Sequence, residues 1–541
     1  MTIYLDYAAT TPVDPRVAEA MNEILRSESY QANAASTTHG LGRLVNEGVE
    51  MARIAVASLI GAGGREIVFT SGATEANNLA ILGVAAAARR AATAQRQHDT
   101  ALHFVSSRTE HKSVLDTLRE LERQGAAVSW LEPDEWGRIP PDAVRAALRD
   151  DTALVSVMHA NNELGCVNDI AGIATACRER GVLLHTDASQ SAGKIACNVD
   201  TLGADLLSFT AHKIYGPKGI GALYVRESAR PRIAPTLFGG GHERGLRSGT
   251  LATHQILGFA RAATLMREQG GADAVSSREL QRRLRRGLED IPGAIFNTPP
   301  HEESLPGILN VSFEGVEGES LVTGLQDIAV STGSACSSAT REPSYVLRAL
   351  GRDTELAQSS LRISFGRFST GEHIDVAVAA IRGEVSRLRV LAGGQPVQGA
   401  SRESPPLDGP LSWTSVLSPL ARRYFRAAPR LPRFLDGAGP AGIRRGRAGR
   451  REDGAKVAFE LEIADGIVKS ARFTAYGCPH TLAISAWLCD VLEGAAVAAG
   501  TPGTPADWAR KFEVPTEKLG RLLIVEDALR AALGPARQVQ K

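Results

Sequence analysis

The chain has 541 residues, 43% hydrophobic and 22% charged, the balance of a soluble globular protein with length for about three or four domain-sized units. Its 61 basic and 60 acidic side chains nearly cancel, so no global field draws it to nucleic acid or an acidic membrane as its main partner. There is no apolar run of membrane-spanning length, no basic-then-apolar leader, and only six cysteines, too few for a disulfide framework. The expectation is a cytoplasmic protein in a reducing setting.

From residue 1 to about 390, short apolar runs alternate with longer helical patterns, which predicts an α/β fold with a largely parallel sheet. The first residues read as a strand. Further strands are expected at 66–70, 102–106, 153–158 and 182–186, and helices at 75–90, 114–124 and 141–148.

Between the first such strand and helix lies Thr70-Ser-Gly-Ala-Thr-Glu75. Its small residues and the helix N-terminus make a plausible phosphate cradle, with Thr74 adding a hydroxyl. An ordinary helix start, with Ser71 or Thr74 as N-cap, accounts for it equally well. Past the next strand, His111 in Ser107-Arg-Thr-Glu-His-Lys-Ser113 is suited to stacking on an aromatic cofactor ring and exchanging protons, or to satisfying a turn. Asn162 in His159-Ala-Asn-Asn-Glu-Leu-Gly165 is suited to a ring hydroxyl. Asp187 in His185-Thr-Asp-Ala-Ser-Gln190 stands where α/β folds place ligand groups and matches a protonated pyridine nitrogen; a turn or N-cap aspartate is the simpler reading.

Lys213 follows, in Ser208-Phe-Thr-Ala-His-Lys-Ile-Tyr-Gly-Pro-Lys-Gly219. A partly desolvated lysine amine has a lowered pKa and condenses with aldehydes, which makes Lys213 the expected Schiff-base residue. Cys336, in Ser331-Thr-Gly-Ser-Ala-Cys-Ser-Ser-Ala339, has only small or polar neighbours, the setting of a reactive thiol rather than a core one. Arg362, on the alternating segment 359–368, is suited to bidentate capture of a carboxylate.

Near 391 the composition turns to Gly, Pro and Ser without periodicity, so 391–410 reads as a linker. A further domain is expected over 411–541. Ten arginines against one acidic residue at 422–451 read as a solvated or partly disordered face, or as a surface for an acidic partner.

With these residues in view, residues 1–390 closely resemble NifS/IscS-like cysteine desulfurases of the iron–sulfur assembly type, in the class V aminotransferase group of fold-type I pyridoxal-phosphate enzymes. The resemblance runs through Tyr4-Leu-Asp-Tyr-Ala-Ala-Thr-Thr-Pro12, Thr70-Ser-Gly-Ala-Thr-Glu75, Thr109-Glu-His111, His159-Ala-Asn-Asn-Glu163, His212-Lys-Ile-Tyr-Gly-Pro-Lys-Gly219, Gly239-Gly-Gly-His-Glu-Arg244, Arg247-Ser-Gly-Thr250 and the Cys336 segment. It implies a large parallel-sheet domain with a small α/β domain.

The resemblance also implies residue roles. Lys213 holds pyridoxal 5'-phosphate, Asp187 faces its pyridine nitrogen, His111 stacks on the ring, and Asn162 and Gln190 lie on the ring-oxygen side. Ala73, Thr74, Thr210 and His212 bind phosphate. Thr250 reaches the neighbouring subunit's phosphate, implying a homodimer with shared sites. Arg362 and Asn33 hold the carboxylate of L-cysteine; the family usually has proline where Ala34 stands. Sulfur passes to Cys336 as a persulfide, leaving L-alanine, and then goes to an iron–sulfur scaffold or another acceptor protein. A selenocysteine lyase or a related class V aminotransferase is the alternative.

The segments 465–480 and 526–532 resemble the small α+β IscU/NifU-like scaffold proteins. That family uses three cysteines. Here the second aligns with Cys478, while the first falls near Asp453 and the third near Arg521, so one thiolate stands where a cluster site needs a set. The expectation is a scaffold-like domain that has lost cluster building, with Cys478 retained as a sulfur or ion contact or as a remnant helix-start cysteine, and with a role in docking, in regulation or in competition with the true scaffold. Cys489 reads as core.

Overall fold

A computed structural model describes residues 2–94, 102–325, 327–332, 343–398, 417–427, 431 and 442–534. Its centre is a seven-stranded sheet. In spatial order the strands are Ile67–Thr70, Gly221–Val225, Leu206–Thr210, Leu183–Asp187, Thr152–Ser156, His103–Ser107 and Ala127–Leu131. Only Gly221–Val225 runs antiparallel to its neighbours. The expected strands are present with ends shifted by a residue or two, and the helix expected at 75–90 extends over Ala73–Ala94.

The central strands are apolar throughout because both faces of the sheet are covered. Phe69, Val105, Val155, Leu184 and Leu207 pack on one side. Their neighbours Val68, Phe104, Leu154, Leu183 and Leu206 pack on the other, as a period of two requires. The parallel strands all end on one edge, where the chain turns into helices.

Helix Thr253–Leu288 leads from this body to a second one. There an antiparallel sheet of Ser360–Ser364, Ile308–Phe313 and Ala294–Phe296 packs with helices Gly318–Gly324 and Gly371–Leu391. Ile3–Tyr4 pairs in parallel with Ile328–Ala329, so the N-terminal strand joins this second body.

The C-terminal part is α+β. Strands Ile443–Arg450, Ala455–Ala464 and Ile467–Tyr476 form a meander, backed by helices Pro479–Leu492, Pro505–Phe512 and Leu519–Leu533. The second hairpin turns on Asp465-Gly466, both at positive φ, as a two-residue turn between twisted strands demands. This meander shares one hydrophobic cluster with the second body, in which Leu321, Leu388 and Leu391 join Phe459, Phe473, Leu482 and Leu529. Cys489 is buried in that cluster, as expected.

Within 422–451, residues Ile443–Arg450 form a strand on which Arg444, Arg447 and Arg450 are exposed, so the run is a solvated face there but a regular one. Arg445 pairs with Glu460 at 3.1 Å, and Arg444 donates to the Leu533 carbonyl at 2.6 Å. The strand was hidden because its inward positions are Gly446 and Ala448. A Cβ on Gly446 would stand 2.1 Å from the Ala528 carbonyl oxygen, so the helix can lie on this strand only over glycine.

Candidate active site

The residues picked from the large domain gather along the edge where its parallel strands end. Lys213 closes the short turn Ala211–Lys213 immediately after Leu206–Thr210. Its amine donates to the Ala8 carbonyl and, at 2.8 Å, to that of Ala9. Gln190 Nε2 donates to the same Ala8 carbonyl at 2.9 Å, so the N-terminal segment ties these two side chains together.

Asp187 is the last residue of its strand and is buried. One carboxylate oxygen accepts Asn77 Nδ2 at 2.7 Å and the other accepts the Ser189 N–H at 2.8 Å, which fixes the group without a cationic partner in either bond. His111 N-caps the helix Lys112–Arg123: its Nδ1 accepts the Ser113 N–H at 3.1 Å and lies 2.8 Å from Ser113 Oγ. A ring nitrogen that accepts a backbone N–H carries no proton, so the proton is on Nε2. Burial lowers the His111 pKa; Asp187 opposes this and Lys213 adds to it, so the ring is neutral at neutral pH.

Burial, with help from Lys213, pushes His212 down to about 4; its Nδ1 stands 3.2 Å from Thr10 Oγ1. Strand Ile67–Thr70 passes through Ser71-Gly72 into helix Ala73–Ala94. Thr74 is exposed in the helix's first turn rather than capping it, and nothing lies within 4 Å of a Cβ placed on Gly72, which leaves the cradle open. Thr210 is buried, with its hydroxyl donating to Ile220 O at 3.0 Å.

Arg362 comes from the second body, on Ser360–Ser364. It is almost fully buried, donates to the Asn162 carbonyl at 3.1 Å and pairs with Asp6 at 2.7 Å. Asn33 is exposed, and its side-chain oxygen accepts the Ala35 N–H at 2.9 Å. Thr250 is exposed. Cys336 lies outside the described residues. Cys478 is fully buried at the N-terminus of Pro479–Leu492, with its sulfur 3.4 Å from Thr481 Oγ1. Among the described residues no group of three His, Cys, Asp or Glu side chains is placed to hold a metal ion, and no helix is long and apolar enough to cross a membrane.

Residues 3–376 match the family model for class-V aminotransferases, and residues 432–540 match the NifU-like N-terminal domain. The chain is 53% identical to the cysteine desulfurase IscS of Aeromonas hydrophila over 392 residues, covering 72% of this chain and 95% of that protein. The IscS of Salmonella typhi is 52% identical over the same span. The chain belongs to the class-V aminotransferases, among the cysteine desulfurases. Among solved structures, a NifS-like protein is 36% identical with a TM-score of 0.63, covering 70% of this chain and 98% of that one. DndA from Streptomyces lividans is 38% identical with a TM-score of 0.56, covering 67% and 99%. The class-V aminotransferases and, among them, the cysteine desulfurases use pyridoxal phosphate.

The sequence reading missed three positions around the desulfurase site. Asn77, which holds Asp187, left a signal in the apolar pattern of its helix: it is a polar residue at a fully buried helical position. Asp6, the counter-ion of Arg362, lies in the N-terminal motif Tyr4-Leu-Asp-Tyr7 but 356 positions away, with nothing local to mark the pairing. Glu163 is buried, accepts Ser344 Oγ at 2.5 Å and is pushed up to about 7 by burial, with Ser344 and Arg362 pulling the other way. The cavity of about 400 Å³ lined by Arg178, Asp205, Arg226 and Arg232 reaches Leu183, at the opposite end of its strand from Asp187, and plays no part in this site.

Proposed function

We propose that this desulfurase converts L-cysteine to L-alanine by moving the substrate sulfur to Cys336, using pyridoxal phosphate held by Lys213. The observation that carries the reading is the convergence of Lys213, Gln190, Asp187 and neutral His111 on one sheet edge, beside an open helix N-terminus. The donor set fits the cofactor. Gln190 Oε1 is a buried acceptor with no partner among the described residues, and the Gly72 cradle has room for an anion.

In this reading Lys213 holds the cofactor and takes the proton from the substrate Cα, Asp187 pairs with the ring nitrogen, and His111 lies against the ring. Asn162 and Gln190 serve the ring-oxygen side. The N–H groups of Ala73 and Thr74, with Thr210 and His212, serve the phosphate. When bound, the cofactor supplies an electron sink for the pair left on Cα. The Cys336 thiolate attacks the substrate sulfur: the carbon–sulfur bond breaks, a sulfur–sulfur bond forms on Cys336, and the carbon takes a proton to become the methyl group of alanine. No net oxidation is required. The persulfide then passes to an iron–sulfur scaffold or another acceptor protein. Production of alanine and enzyme persulfide in equal amounts from cysteine tests this reading; alanine without persulfide rejects it.

Arg362 carries the substrate carboxylate, with Asn33 beside it. A buried guanidinium already paired to Asp6 has its fork oriented before substrate arrives, so little ordering remains to be done. Arg362→Ala is expected to raise KM for cysteine about 10- to 100-fold, the range of a lost charge-assisted pair. An unchanged KM in steady-state kinetics removes Arg362 from this role.

Neutral His111 is the working form. Because its pKa is lowered, the acid limb of kcat/KM is expected below the ordinary histidine value of about 6.5, with activity flat from there to neutrality. A pH profile whose acid limb lies above that value excludes His111 as its source.

The homodimer reading is supported by an exposed apolar stripe on helix Gly40–Ser58, where Leu41, Leu44, Met51 and Ile54 recur at helical spacing. Phe238, 73% exposed, lies in the glycine-rich segment before Thr250, where a partner's phosphate would be met. The cytoplasm is the proposed location. The proposed domains are 1–390 for the desulfurase, 391–410 for the linker and 411–541 for the scaffold-like domain.

A further inference from the structure

The three scaffold positions that the sequence separates come together in space. Cys478 adjoins the Arg521 guanidinium, and a Cβ on Gly454, next to Asp453, would stand 3.0 Å from Arg521 Nη2. This face points at the desulfurase rather than at solvent. Arg521 Nη1 lies 3.3 Å from Glu317 Oε1, and Lys518, 1% exposed, forms an ion pair with Glu319. Lys518 also donates to His480 Nδ1 at 3.3 Å, and Ser320 Oγ donates to the Gly477 carbonyl at 2.8 Å. At the margin Arg451 approaches Glu355 at 3.9 Å.

The charges are sorted by side. Glu317, Glu319 and Glu355 come from the desulfurase; Arg451, Lys518 and Arg521 come from the scaffold-like domain. Burial and Glu319 raise the Glu317 pKa and Arg521 draws it down, so the anion depends on its partner across the interface. Glu317 also N-caps helix Gly318–Gly324 through the Ser320 N–H at 2.7 Å. That helix immediately precedes the strand Ile328–Ala329.

We propose that the C-terminal domain has turned its scaffold-cysteine face into an ionic lock on helix Gly318–Gly324, so that it covers this acidic face of the enzyme and keeps a free NifU-like domain off it. The lock needs Arg521 where the scaffold family has a cysteine, with Lys518 three residues before it, which explains how a scaffold fold persists without a cysteine set. Tethering adds to the effect: a linked domain stands at roughly millimolar effective concentration, so a free domain in the micromolar range is outcompeted. The inference rests on the sulfur-donor reading only for its biological meaning; the lock itself is read from contacts.

The test uses full-length holoenzyme as wild type, as the double variant Lys518→Glu/Arg521→Glu, and as a charge swap of the Lys518 pair alone, Lys518→Glu with Glu319→Lys, which leaves the Glu317 cap in place. Amide hydrogen exchange over 318–324 is expected to rise in the double variant and to return toward wild type in the swap. A double variant as protected as wild type, or a swap that restores nothing, overturns the lock. The probe for occupancy is a fluorescently labelled free NifU-like protein carrying three cysteines. The double variant, whose acidic face is intact, is expected to bind it at least about tenfold more tightly than wild type does, because the competent fraction rises. Equal affinities, or binding to neither, overturn the covering role. Alanine production measured on the same samples separates this outcome from failure of the desulfurase reading, since exchange and binding are read without turnover.

Discussion

Lys213→Ala is expected to lower alanine production from cysteine by at least about 10³-fold, because in the proposed mechanism one side chain both holds the cofactor and takes the Cα proton. A structural role for the cation is the competing explanation: Lys213 Nζ donates to the carbonyls of Ala8 and Ala9 and ties the N-terminal segment to the sheet edge. Lys213→Arg separates the two. Arginine keeps a cation and several donors but cannot condense with an aldehyde, so a structural role predicts recovery and a covalent role predicts none. The cofactor's visible absorbance gives an independent readout, and a small primary amine should restore part of the proton transfer in the alanine variant. Full turnover by either variant removes Lys213 from the chemistry.

Cys336→Ser is expected to have an effect of similar size with a different signature. The hydroxyl cannot take up sulfur, so alanine and persulfide are lost together by at least about 10²-fold, while cofactor absorbance and substrate binding persist. A selenocysteine lyase or aminotransferase that makes no use of the thiol predicts full turnover by this variant. Cys478→Ala is the internal control. Its sulfur is fully buried against Thr481 and Arg521, so cysteine turnover should match wild type and no persulfide should be missing. A fall in persulfide transfer confined to Cys478→Ala would instead place that thiol on the sulfur route.

Much of the catalytic site was legible because its residues follow strand ends. In a parallel α/β sheet every such strand delivers its last residue to one edge, so Thr74, His111, Asn162, Asp187 and Lys213 could be placed together from pattern alone. Arg362 was legible as a residue type on a strand, but its partner Asp6 was not, because that pairing crosses 356 positions between two bodies. Asn33 and Thr250 are exposed.

The C-terminal domain shows where sequence reasoning stopped. Strand Ile443–Arg450 was hidden because Gly446 and Ala448 stand where large apolar residues would have marked its inner face. Its arginines therefore read as a charge run, although Arg444 and Arg445 are bonded within the fold.

The sequence by itself determined the family: its motifs lie at strand exits, and each is a local arrangement in which a turn positions a side chain. It also showed that the scaffold-like domain lacks a cysteine set. Only the tertiary structure decided what that face of the domain meets. Arg521 and Lys518 meet Glu317 and Glu319 across about 200 residues of chain, and no periodicity or spacing encodes which charges face each other once two domains pack. Helix and strand patterns report which face of an element is buried; the partner across an interface is settled by how whole domains fit, and that is where this chain placed its ion pairs.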